Sequence, residues 1–115
     1  MTLTTVKYRY ALALVKSKKR DDKLRGIALL EDLLAAEYEV KQCLYWVALT
    51  MYGLGDYRAS RAYCVKLLRV EPSHANALVL HERLKDVTVN DQMMGIGLVS
   101  AVVVVGLALK LLLKR

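Results

Sequence analysis

Residues 26–34 read GIALLEDLL, and thirty-four positions later residues 60–68 read SRAYCVKLL. Both segments begin on a small residue, end on Leu-Leu, and space their apolar positions at helical intervals between. Upstream of each lies a second matching pair. Residues 10–14, YALAL, return as residues 45–49, YWVAL, thirty-five positions on. The one-residue difference falls in a longer first turn around Asp21. With one proline in the chain and no β-alternation of any length, the periodicity predicts an all-α fold. Five helices are expected, over about residues 4–18, 23–36, 39–54, 57–70 and 73–89. In the first, Ala11, Leu12 and Val15 pack inward; in the second, Ile27, Leu30, Leu33 and Leu34 form an apolar stripe. Leu44, Val47, Ala48 and Met51 do the same in the third, and Ala77, Leu80, Leu84 and Val87 in the fifth. Asp21 or Asp22, Asp56 and Ser73 are the candidate N-caps, Gly55 can take a left-handed C-terminal position, and Pro72 stops the fourth helix.

A helical-hairpin period of 34 is that of the tetratricopeptide repeat, which keeps small residues where paired helices touch. Residues 41–74 match it well, through Leu44, Val47, Ala48, Gly55, Asp56, Tyr57, Ser60, Leu67, Leu68, Glu71 and Pro72. The earlier unit is degenerate. Residues 1–89 are therefore expected to form a tetratricopeptide-like bundle of helical hairpins.

The C-terminal stretch is of another kind. Residues 93–113 read MMGIGLVSAVVVVGLALKLLL, uncharged as far as Leu109. As a helix, twenty-one residues span about 31 Å, close to the roughly 30 Å hydrocarbon core of a bilayer. Twelve are Leu, Ile or Val, together worth about −4 to −7 kcal/mol of insertion, and Lys110 lies near enough the end to reach the interface. The reading is a single transmembrane tail anchor, joined by a polar hinge at residues 90–92 and closed by the basic tail Lys114-Arg115. Only two residues follow the span, so insertion after translation is expected, with the preceding residues cytosolic. Lys110, Lys114 and Arg115 are the candidate targeting residues; a moderately hydrophobic span with a basic far side points to mitochondria or peroxisomes.

Composition excludes much else. The formal charge of +7 falls to +4 once Lys110, Lys114 and Arg115 are set aside, a mild excess that does not call for nucleic acid. The cluster Lys16-Ser-Lys-Lys-Arg20 reads as a solvated helix end. Cys43 and Cys64, twenty-one residues apart with no C-x-x-C, read as reduced thiols packed as small apolar groups. His74 and His81 lack paired metal-site spacing. No phosphate loop, carboxylate pair or nucleophile motif appears. Neither enzyme chemistry nor a cofactor or metal is expected.

The order of parts then resembles one family. YALALVKSK at residues 10–18, Asp21-Asp22, GIALLEDLL, Tyr45-x-x-Ala-Leu, Tyr57, Leu67-Leu68, Glu71-Pro72 and the single C-terminal span with its basic tail are similar to the mitochondrial fission protein one family. The likeness covers nearly the whole chain. It implies a cytosol-facing bundle anchored in the mitochondrial outer membrane, and also in peroxisomes, that recruits the dynamin-related GTPase constricting the organelle, or its adaptors. The family usually carries a further N-terminal helix that packs on the bundle and can cover its groove. This chain is read as starting at its first repeat, so properties attributed to that helix are not carried over.

Stacked hairpins curve, and the first helix of each repeat lines the concave, partner-binding side. The repeat phase places Lys7, Tyr10, Leu14 and Ser17 there from the first unit, and Gln42, Tyr45, Leu49 and Tyr52 from the second. Asn76, Val79 and Arg83 come from the fifth helix. An aromatic-aliphatic floor with a polar rim suits an amphipathic helix laid in a groove; the alternative is that these side chains are core. Trp46, Val47, Cys64 and Leu68 are assigned to packing. A competing function is a tail-anchored tetratricopeptide receptor for chaperones or imported proteins. Such receptors grip a terminal carboxylate with Lys and Asn, which Tyr10, Leu14, Tyr45 and Leu49 cannot imitate. Besides the partner protein and the bilayer, association between copies of the chain stays open.

Overall fold

The computed structural model describes residues 2–94, and among these the chain is helical with no strand. Five α-helices follow in order: α1 Leu3–Lys16, α2 Arg20–Ala35, α3 Val40–Leu54, α4 Tyr57–Val70 and α5 Ala75–Met94. Contacts divide the chain into two units, Met1–Leu84 and Lys85–Arg115. The first unit holds both hairpins.

Two cores form, and α3 serves both. Ala11 and Val15 of α1, Ile27, Leu30 and Leu33 of α2, and Cys43 and Val47 of α3 make one. Leu44 and Ala48 of α3 join Cys64 and Leu67 of α4 and Ala77, Leu80 and Leu84 of α5 in the other. Adjacent pairs on α3, Cys43-Leu44 and Val47-Ala48, thus point one residue to each hairpin. This is why α3 is apolar on more than one face, as a helix buried on two sides must be. Leu34 and Met51 are half-buried against these cores, as are Trp46 and Leu68. Both cysteines are fully buried and free, and burial pushes the Cys43 thiol up to about 11.

The second hairpin ends and starts where its residue types dictate. Gly55 takes the left-handed conformation, φ 87°, and Asp56 Oδ1 accepts from Ala59 N at 3.2 Å to cap α4. Glu71 is extended ahead of Pro72, closing α4 at Val70 as expected.

Three expectations at helix ends are corrected. α2 begins at Arg20, so Asp21 and Asp22 lie in its first turn, where their charge suits the helix dipole, and do not cap it. Lys19 precedes the helix with no side-chain cap. Asp22 instead reaches back: Ser17 Oγ donates to Asp22 Oδ2 at 2.7 Å, tying the end of α1 to the start of α2. At α5 the cap is His74, whose Nδ1 accepts from Ala77 N at 3.1 Å, because Ser73 sits inside the turn closed by His74 N and Glu71 O. Finally, α5 runs past residue 89 and through residues 90–92 to Met94. Polar residues alone do not stop a helix, and the next glycine in sequence is Gly95.

One conformation was not anticipated. Glu37 and Glu39, on either side of Tyr38, have φ of 56° and 46°. The backbone bonds Tyr38 N to Leu33 O and Glu37 N to Leu34 O, both 2.9 Å, form a Schellman-type ending with glutamate where glycine is favoured. Tyr38 holds it there: its hydroxyl bonds Thr5 Oγ1 at 3.2 Å, its ring meets Tyr8 edge-on at 5.8 Å, and its carbonyl accepts from Cys43 Sγ.

Candidate partner-binding groove

In the first unit α3 and α5 both face one cavity of about 230 Å³, lined by Tyr45, Leu49 and Tyr52 from α3 and by Asn76, Val79, Leu80 and Arg83 from α5. On α3 these positions are i, i+4 and i+7, the spacing of one helical face, and on α5 they are i, i+3, i+4 and i+7. The chain reverses at Gly55 and again at residues 71–74, which returns α5 along the direction of α3. Asn76 accordingly lies toward the Tyr45 end and Arg83 toward the Tyr52 end.

Both tyrosine rings are braced from outside the cavity. Tyr45 packs on Trp46 edge-on at 5.8 Å and on the His74 ring at 5.7 Å, while Tyr52 meets Tyr57 edge-on at 5.6 Å. The capping His74 thus fixes both the first turn of α5 and one wall of the cavity. Such pinned rings offer contact area at little further entropic cost on binding. Val79, an apolar side chain between Asn76 and Arg83 on this face, is 56% exposed, leaving the groove open to solvent.

The remaining sequence-predicted residues are placed elsewhere. Leu14 is buried, with its Cβ against Gly26 of α2. Lys7 pairs with Asp32 of α2 at 3.5 Å. Tyr10 is 53% exposed, Gln42 is exposed, Ser17 is engaged with Asp22, and none of these lines the cavity. The burial pattern gives the reason. Apart from Thr5, the buried and half-buried positions of α1 (4, 7, 8, 11, 12, 14 and 15) find counterparts on α3 at a shift of 36, at 40, 43, 44, 47, 48, 50 and 51, and α3 adds the half-buried 45, 46, 49, 52 and 54. The α1 counterparts of Gln42, Tyr45, Leu49 and Tyr52 are then Val6, Arg9, Ala13 and Lys16, all exposed. A signal for this was available: Leu14 lies three residues from Ala11, so the two are neighbours on the face assigned inward. Leu80, expected in the core, is buried and also floors the cavity. Lys16 belongs to the basic cluster read as a solvated helix end, and its Nζ stands 5.1 Å over the Trp46 ring.

Strong electrostatic perturbation lies away from the groove. Tyr63, whose hydroxyl donates to Glu31, is pushed up to about 12 by burial and by that carboxylate. Asp22 is lowered, first by the Ser17 hydroxyl and then by Arg25. Among the described residues no cluster of His, Cys, Asp and Glu could hold a metal, and no helix is long and apolar enough to cross a membrane. The expected span at residues 93–113 lies, from Gly95 on, outside the described residues, as do Lys110, Lys114 and Arg115.

Comparison with known proteins agrees with the repeat reading. The model of the Fis1 N-terminal tetratricopeptide repeat matches residues 5–37, and that of the Fis1 C-terminal tetratricopeptide repeat matches residues 41–93. A mitochondrial fission 1 protein of Yarrowia lipolytica is 33% identical over 103 residues, covering 89% of this chain and 67% of that protein. The mitochondrial fission 1 protein B of Arabidopsis thaliana is 38% identical over 109 residues, covering 90% and 65%. The chain spans about two thirds of the length of these relatives. Fis1 from Saccharomyces cerevisiae, at 24% identity and a TM-score of 0.73, covers 81% of this chain and 73% of its own and shares the fold. Yeast Fis1 in complex with an Mdv1 fragment containing the N-terminal extension and coiled-coil domains is 26% identical, with a TM-score of 0.72 over 77% of this chain and 71% of that one.

Proposed function

The chain belongs to the Fis1 family of mitochondrial fission 1 proteins, and from that premise we propose that it is a non-enzymatic adaptor recruiting the fission machinery to the mitochondrial outer membrane. The observation that carries this reading is the open groove of Tyr45, Leu49, Tyr52, Val79 and Leu80, an apolar floor of the kind that takes an amphipathic helix. The yeast relative crystallised with an Mdv1 fragment supports a helical adaptor as occupant. The recruited protein is the dynamin-related GTPase or an adaptor that brings it. Residues 93–113 hold the protein in the membrane with its N-terminus cytosolic, and the same tail serves peroxisomes. Lys110, Lys114 and Arg115 set the target membrane.

The test uses the full chain in cells, fluorescently tagged at its N-terminus, with Tyr45→Lys and Leu49→Asp together. The variant is expected to decorate mitochondria as the parent does while recruiting no fission GTPase or adaptor. Undiminished recruitment by the double variant would overturn the groove; diffuse fluorescence of the parent would overturn the anchor.

A further inference from the structure

The groove has a polarity that bears on what it selects. Among the described residues, Arg83 is the one charged side chain lining the cavity, and no carboxylate of those residues pairs with it. The ion pairs Lys7–Asp32, Arg25–Asp22 and Lys41–Glu71, formed among the described residues, do not involve it. A guanidinium at the edge of an apolar cavity gains more from a carboxylate than one in open water, because the wall beside it screens less. Position matters as well as charge. Arg83 lies three residues from Leu80 and four from Val79, one helical turn along α5 from the apolar floor. The cavity, at about 230 Å³, is smaller than the roughly 300–1,000 Å³ of sites that engulf a small ligand, so it admits an anchoring side chain.

Resting on the groove reading above, we propose that the groove selects an amphipathic helix bearing one bulky apolar anchor and, one turn further along, an aspartate or glutamate that pairs with Arg83. The anchor fills the space between Tyr45, Leu49, Tyr52 and Leu80, and the carboxylate fixes the direction in which the helix lies. A single cation matches a single side-chain carboxylate. It does not reproduce the multi-cation grip that a free chain terminus requires. Asn76, at the far end, can take a backbone or amide group without charge preference.

The experiment uses the full-length chain in detergent micelles and a synthetic alanine-rich host helix, acetylated and amidated, with a leucine anchor. One turn after the anchor the host carries Glu, Gln or Lys, and a fourth host bears the leucine beside a free terminal carboxylate. Fluorescence anisotropy should rank the Glu host about tenfold tighter than the Gln host. Arg83→Glu should invert the order in favour of the Lys host, and Leu49→Asn should weaken every host alike. Equal affinity for Glu and Gln hosts, a preference unmoved by Arg83→Glu, tightest binding of the free-carboxylate host, or no binding by any host would each overturn the charge selection. If Leu49→Asn leaves all affinities intact, the groove assignment itself falls; if it weakens them without charge selectivity, only the present inference does.

Discussion

The two hairpins solve one packing problem by different means. In both, the second helix must approach the first closely enough to shut the core. In α1–α2 the approach is made by absence. A Cβ on Gly26 would stand 2.6 Å from Val15 Cγ1 and 3.0 Å from the carbonyl oxygen of Ala11. In α3–α4, thirty-four residues on, Ser60 occupies the crossing, fully buried, and its Oγ donates to Ala48 O at 2.7 Å. At the crossing point itself, the second hairpin is thus set by a directed bond and the first by close approach. A hydroxyl has a carbonyl to meet in one and no room in the other.

Exchanging the two solutions tests this most severely. Gly26→Ser places a side chain against backbone and a β-branched neighbour, neither of which can rotate away. Overpacking of this kind costs about 1–3 kcal/mol, set against roughly 0.5 kcal/mol gained from better helix propensity. A net loss of about 2 kcal/mol is expected from urea denaturation of the full chain in detergent. Ser60→Gly should cost about 1–2 kcal/mol, through the lost bond and the added chain freedom. If Gly26→Ser proved neutral, the claim that α1 and α2 touch without clearance would fail.

The turns differ in the same sense. After α3 the left-handed position holds Gly55, at φ 87°; after α2 it holds Glu37, at φ 56°. A side chain there costs about 1–2 kcal/mol, part of which is returned because glycine loses more freedom on folding. Glu37→Gly is therefore expected to stabilise the chain by about 0.5–1 kcal/mol, and Gly55→Ala to destabilise it by about 1 kcal/mol. Paired denaturation curves should move in opposite directions. A loss on Glu37→Gly would show that the glutamate side chain contributes something the contacts of Tyr38 do not account for.

This asymmetry also explains what could be read from sequence. The α3–α4 hairpin was legible almost residue for residue, because Gly55, Asp56 and Pro72 act through local backbone chemistry that any reader can apply. The α1–α2 junction was not. Its organising bond, Ser17 to Asp22, joins two helices across a turn, and Lys19 announces no cap. The left-handed Glu37 and Glu39 are imposed by Tyr38 reaching Thr5 and Tyr8, a tertiary effect against residue preference. The groove divides along the same line. Tyr45, Leu49, Tyr52, Asn76, Val79 and Arg83, which the repeat phase assigns to one face, line one cavity. Lys7, Tyr10 and Leu14 do not line it: a one-residue shift in the phase of the first repeat takes Leu14 into the core, Lys7 to Asp32 and Tyr10 to solvent.

The smallest expected effect probes that first junction directly. Asp22 is held below the usual carboxylate range, chiefly by the Ser17 hydroxyl and then by Arg25. A carboxyl whose folded value is lowered adds stability that is present above the unfolded value, about 3.9, and is lost as pH falls through the folded one. Ser17→Ala removes the larger cause, so the variant should resemble the parent at low pH and fall slightly behind it near neutrality. Urea midpoints measured at both ends would show the gap opening as pH rises. Asp22 is half-buried beside the exposed Arg25, so the gap should be small and should narrow with salt if the Arg25 charge carries what remains. Asp22→Asn should flatten the same acid limb, and Ser17→Ala added to it should cost little more. Two independent losses would instead mean that Ser17 acts through Lys19 N, which its Oγ also accepts from at 3.1 Å, and that the two helices are joined within the turn and not across it.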